Sequence, residues 1–148
     1  MEIELLYDKI GGPYVEFNMW GNSHWHECST FLEEPVYWLF ANYFERVSCD
    51  FNYYGPTLFT HDELTELRFL LAENGTRYKE IKTLSQFTEL VSESILGVNF
   101  INELDREHHG WRDSFEEIRD KLSAVNKGLL SIVDKCLVKQ RVLWVLGI

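Results

Sequence analysis

The chain has 148 residues and a formal net charge of −10, with 24 Asp and Glu against 14 Lys and Arg; 45% of its residues are hydrophobic. That length suits one domain, residues 1–148, able to bury a core of its own. Such acidity argues against direct binding to nucleic acid or to an anionic membrane, both of which need Lys and Arg to neutralise phosphate.

The longest apolar stretch, Val36 to Ala41, is far short of the roughly 20 residues that a spanning helix needs. The start, Met-Glu-Ile-Glu, has neither a basic n-region nor an apolar h-region. Cys28, Cys49 and Cys136 are odd in number and widely spaced, which suits small core hydrophobes in a reducing compartment better than a disulfide framework. A soluble, cytoplasmic protein is therefore expected.

The opening segment reads as a β-hairpin. Ile3, Leu5 and Tyr7 recur at period two, Gly11-Gly12-Pro13 supplies a turn, and Tyr14 to Trp20 alternates again. An isolated hairpin is marginal in water, so its apolar face needs a cover. Thr30 with Glu33 has the spacing of a capping box, and Val36, Tyr37, Trp38, Leu39, Phe40, Tyr43, Phe44 and Val47 follow as a helix apolar nearly all round. Residues 49–59 read as irregular, with Tyr53-Tyr54-Gly55-Pro56 as a turn.

Thr60-His61-Asp62-Glu63 is a strong helix start, and Leu64, Leu67, Leu70 and Leu71 continue it to a stop at Asn74-Gly75. Ser85 is the expected cap of a next helix carrying Phe87, Leu90, Val91, Ile95 and Leu96, which Gly97 either kinks or splits. Gly110 breaks the chain before Phe115, Ile118, Leu122 and Val125. Asn126-Lys127-Gly128 is read as an interruption, and a last helix is expected to carry Leu129 through Leu143. The predicted fold is α+β and mainly helical: an N-terminal β-hairpin packed against a bundle of about four to five helices.

The first 67 residues hold twelve acidic side chains and two basic ones, Lys9 and Arg46, while the remainder is balanced. The same stretch carries 15 of the 22 aromatic residues. A surface rich in carboxylates and rings is complementary to a basic partner. The candidate contact residues are Glu33, Glu34, Asp50, Tyr53, Tyr54, Asp62, Glu63 and Glu66, which surround an irregular turn and two expected helix starts.

Motifs for catalysis are weak by comparison. His24, His26 and Cys28 alternate, so on a strand all three would face one metal ion, but a lone triplet at that spacing has none of the specificity of His-Glu-x-x-His or paired Cys-x-x-Cys sites. No Gly-x-Ser-x-Gly elbow or glycine-rich phosphate loop is present, and Glu27 beside Cys28 opposes an activated thiolate. Lys121, Lys127, Lys135, Lys139 and Arg141 read as the wet face of an amphipathic helix.

In size, acidity and its ring-rich acidic half, with residues such as Glu33, Glu34, Tyr53, Tyr54, Asp62 and Glu66, the chain resembles the small acidic immunity proteins of bacteria. These neutralise nuclease or other toxic domains delivered by neighbouring cells, as in contact-dependent growth inhibition. The resemblance implies tight binding of one cognate toxin domain without a cofactor and without catalysis, and because such proteins have many unrelated folds it implies no particular architecture. Two alternatives stand beside it: a metal-dependent enzyme built on His24, His26 and Cys28, and a self-associating adaptor whose aromatic segments pack across a dimer.

Overall fold

The computed structural model describes residues 1–8 and 12–147. Strands β1 (Tyr14–Asn18) and β2 (Thr30–Glu33) are followed by two short helices, α1 (Glu34–Tyr37) and α2 (Ala41–Val47), and by strand β3 (Pro56–Phe59). Helices α3 (His61–Glu80), α4 (Leu84–Ser92), α5 (Gly97–Glu107) and α6 (Phe115–Val138) then lead to strand β4 (Leu143–Leu146). The strands form one antiparallel sheet in the order β2-β1-β4-β3, so the C-terminal strand is inserted between two N-terminal ones. The fold is α+β and mainly helical.

Register sorts the side chains. Phe17 stands opposite both Thr30 and Val145, Val15 opposite Leu32, and Phe59 opposite Leu143, so these residues share the inner face. The segment after Pro35 covers that face: the Phe17 ring lies 6.0 Å from Tyr37 and 5.8 Å from Phe44, and Phe44 meets Phe59 edge-on at 5.5 Å. Each buried ring or aliphatic side chain contributes on the order of 1.5–3 kcal/mol by leaving water. The aromatic run therefore anchors the sheet, as its composition predicts, although a turn at residues 38–40 divides it between α1 and α2.

The N-terminal antiparallel pair joins different segments from those expected. β1 pairs with β2, and residues 3–7 contribute an isolated bridge, Leu6 to Phe31, closed by hydrogen bonds of 2.8 and 2.7 Å. Ile3 and Leu6 are nevertheless buried. Gly11, in the expected turn, lies outside the described residues. Thr30 and Glu33 are strand residues and form no capping box; Glu33 instead accepts a hydrogen bond from the Glu2 amide at 2.9 Å.

Further along, the Thr60 capping box is present, with Thr60 N–H donating to Glu63 Oε2 at 2.7 Å. Two expected stops are absent, since α3 runs through Asn74-Gly75 and α6 through Asn126-Lys127-Gly128. Thr83, not Ser85, caps α4 through a reciprocal box with Gln86. Gly97 splits the next pattern by opening α5, and Gly110, at φ +80°, makes the turn before α6. The last predicted helix ends at Val138. Gln140, at φ +53°, reverses the chain, and residues 143–146, rich in Val, Leu and Trp, gain more from pairing with two strands than from a further turn of helix.

Candidate partner-binding surface

Residues 48–55 link α2 to β3 and are held by their own polar groups. The Asn52 amide donates to Thr57 Oγ1 at 2.9 Å, and Asn52 Oδ1 accepts from the Tyr54 amide at 3.2 Å, as asparagine side chains do in turns. This leaves Tyr54 73% exposed while Tyr53 is half-buried beneath it, the two rings meeting edge-on at 4.9 Å. The Tyr53 hydroxyl donates to Glu34 Oε1 at 3.5 Å. Burial, together with the Glu34 charge, raises its pKa, so the phenol remains a donor across the physiological range. Tyr37, 5.9 Å from the Tyr53 ring, is fully buried and its hydroxyl has no hydrogen-bond partner among the described residues.

Beside this pair lies an apolar cavity of about 290 Å³, walled by Trp38, Ala41, Phe51 and Tyr53 from one side and by Ile95 and Leu96 from the other. Ser94 Oγ donates to the Trp38 carbonyl, which ties the α4–α5 connection to the aromatic segment. Ile95 is thereby presented to solvent with 83% of its surface exposed, and Val98 with 63%. Asn42 and Glu45 complete the lining, and Asn42 Oδ1 is buried without a hydrogen-bond partner among the described residues. An apolar centre with carboxylates at its edge has the anatomy of a protein–protein contact site, in which a few desolvated rings carry most of the affinity.

The eight predicted contact residues fall into three groups. Glu34, Tyr53 and Tyr54 form one connected cluster, with Asp50 exposed on the same connecting segment. Glu33 is turned to the Glu2 amide. Asp62, Glu63 and Glu66 lie in the first turns of α3, where Glu63 is occupied by Thr60 while Asp62 and Glu66 are exposed. Sequence reasoning did not select Trp38, because an aromatic run reads as core, nor Ile95 and Leu96, because they continue the helical stripe of Phe87 and Val91; Asn42 and Phe51 carried no signal of their own. The one available signal was the placement of Ile95-Leu96 directly before a helix-splitting glycine.

His24, His26 and Cys28 do not converge. His24 Nδ1 lies 3.6 Å from Glu16 Oε2, His26 Nδ1 accepts from the Cys28 amide at 3.1 Å, and the His26 ring stacks on Trp20 at 5.9 Å. Among the described residues no group of three or more His, Cys, Asp or Glu is arranged to hold a metal ion. No helix among them is long and apolar enough to cross a membrane. No protein-family model, curated protein or solved structure matches the chain.

Proposed function

We propose that this chain is an immunity-type neutralising protein, which binds a basic cognate toxin domain, of the nuclease kind among others, and blocks it by protein–protein contact. The observation that carries the reading is the Glu34–Tyr53 pair at the edge of an apolar cavity, in the half of the chain that holds all of its net negative charge. Opposite fields accelerate encounter with a basic surface, and the cavity offers a desolvated seat for an apolar anchor. Glu45 in the cavity lining adds a further carboxylate, and Asp50 is exposed on the segment that carries Tyr53.

The test is a binding measurement against the product of the adjacent gene, expected to be a toxin. Calorimetry with that purified domain should show a stable complex whose association rate falls steeply with salt. Tyr53→Ala and Glu34→Gln should each weaken it at least about tenfold, a cost of about 1.4 kcal/mol, whereas Asp62→Asn and Glu66→Gln should mainly slow association. Absence of any complex with the neighbouring product discards the reading. Equal losses at both groups of residues would move the contact onto the start of α3.

A further inference from the structure

The outer face of the sheet is covered on one side only. Glu16 and Asn18 alternate with Val15 and Phe17, so they stand on that face, and both are buried beneath the connection between β1 and β2, residues 19–29. Asn18 accepts from the Trp20 amide at 2.7 Å and donates to the Ser23 carbonyl at 3.1 Å, which fixes the start of this cover. The register carries the face onward, since Asn18 stands opposite Trp144 and Trp144 opposite Leu58. There the cover ends. Leu58 is 38% exposed and Trp144 half-buried, and Val142, two residues before Trp144, is 42% exposed. Trp20 bounds the patch on the β1 side at 46% exposure, with the Arg141 guanidinium carbon 4.0 Å from its ring centroid.

Area and charge together select an occupant. With full ring areas of about 150–250 Å², these fractions leave roughly 300 Å² of apolar surface in contact with water. That equals the apolar part of one side of a weak interface, one of about 1,200 Å² in total of which a little over half is apolar. The outward positions of β3 and β4, Pro56, Leu58, Trp144 and Leu146, carry no charge, and the charged group at the margin is the cation Arg141. A basic partner finds no counter-charge here. A chain of net charge −10, in contrast, repels its own copies except through a face free of carboxylates.

The margins are also self-complementary. Asp62 is exposed three residues beyond β3, and the strand order β1-β4-β3 puts it on the other side of β4 from Trp20 and Arg141. A two-fold axis parallel to the strands and passing over β4 exchanges these sides, so that Trp144 meets its own copy, Trp20 meets Leu58, and Arg141 reaches toward Asp62. We propose that this patch is an isologous contact between two copies of the chain, with Trp144 at the axis and Arg141 of each copy paired with Asp62 of the other. The cavity assigned to the toxin is walled by Trp38 and Ala41, from the segment that covers the opposite face of the sheet, so the dimer stands independently of that reading.

Sedimentation equilibrium of the purified chain alone, over a range from about 1 to 500 μM, should show reversible association of monomer to dimer in the micromolar range, where contacts of this size fall. Leu58→Glu and Val142→Glu place an unpaired charge in the contact and should each weaken it at least about tenfold. Arg141→Glu should weaken it as well, and adding Asp62→Lys to that chain should restore it. This reciprocal rescue separates pairing across the axis from simple loss of the Arg141–Trp20 contact, and it remains decisive if Leu58→Glu or Val142→Glu does not fold. A monomer at every concentration overturns the proposal, and if Leu58→Glu then weakens the toxin complex, the face belongs to the toxin. A dimer that Leu58→Glu and Val142→Glu both leave intact overturns it too, as does a loss at Arg141→Glu that Asp62→Lys fails to restore.

Discussion

Asn74 Nδ2 donates to Asn126 Oδ1 at 2.9 Å, and both side chains are buried at the contact between α3 and α6. The pair is extended on both sides: Tyr43 Oη donates to Asn74 Oδ1 at 2.8 Å, and Asn126 Nδ2 donates to the Leu71 carbonyl at 2.8 Å. A buried polar network is favourable only when its members are satisfied, and removing one partner leaves the other with its full desolvation cost. Asn126→Ala is therefore expected to lower unfolding free energy by about 2–4 kcal/mol, read from the urea midpoint at unchanged m. With Asn74→Ala it should form a double-mutant cycle with a coupling of about 1 kcal/mol or more. Additive losses would show that the two amides act separately.

The same residues show where sequence reading succeeded and failed. Thr60 and Glu63 were legible because a capping box is local, requiring only residues three apart. Asn74-Gly75 and Asn126-Lys127-Gly128 carry the same local signal as a helix stop, but each asparagine is satisfied by the other helix, and the glycines mark close approach. A Cβ on Gly75 would stand 3.0 Å from Asn126 Nδ2, and one on Gly128 2.2 Å from Leu5 Cδ1. The central position of β4 was equally out of reach, since Leu143 and Val145 owe their strand to Phe59 and Phe17, more than 80 residues earlier. At the candidate surface, Tyr53, Tyr54 and Glu34 followed from charge and turn chemistry, while the cavity beside them depends on the tertiary position of Ile95.

Gly97, the first residue of α5, makes a sharper demand on space than Gly75 or Gly128 inside their helices. A Cβ there would lie 1.9 Å from the Val91 carbonyl oxygen, a backbone atom that cannot swing aside. Gly97→Ala is expected to cost about 1–3 kcal/mol or more despite the better helix propensity of alanine. It should also disturb the Ser94–Trp38 hydrogen bond and so the cavity wall at Ile95. Gly128→Ala is the control: its clash is with the end of a leucine side chain, and its loss of stability in the same urea titration should be smaller.

The three cysteines should separate cleanly by reactivity. Cys28 and Cys49 are exposed, whereas Cys136 is fully buried in α6 and burial pushes its thiol up to about 11. At pH 8 its thiolate fraction is about one part in a thousand, and the reagent has no path to it. Native protein should therefore react rapidly with a disulfide reagent at two thiols per chain, the third appearing only in denaturant. Rapid modification of all three would contradict the packing of α6 against the core.

Arg77 on α3 and Glu93 just beyond α4 form an ion pair whose guanidinium hydrogen bond holds the Glu93 carboxyl below its ordinary value of 4.5. A carboxyl depressed in the folded state stabilises the fold above its unfolded pKa, and that contribution is lost as pH falls through the lower, folded value. Half of the Glu93 side chain is exposed, so solvent screening limits the pair to about 0.2–1 kcal/mol. Glu93→Gln should therefore be slightly less stable than the parent at pH 7. The difference should shrink below pH 4.5 and shrink also in 0.5 M salt, where exposed charges are screened over about 4 Å. Urea midpoints taken across pH 2–7 measure this directly, and a constant offset between the two proteins would assign the loss to altered packing instead of charge.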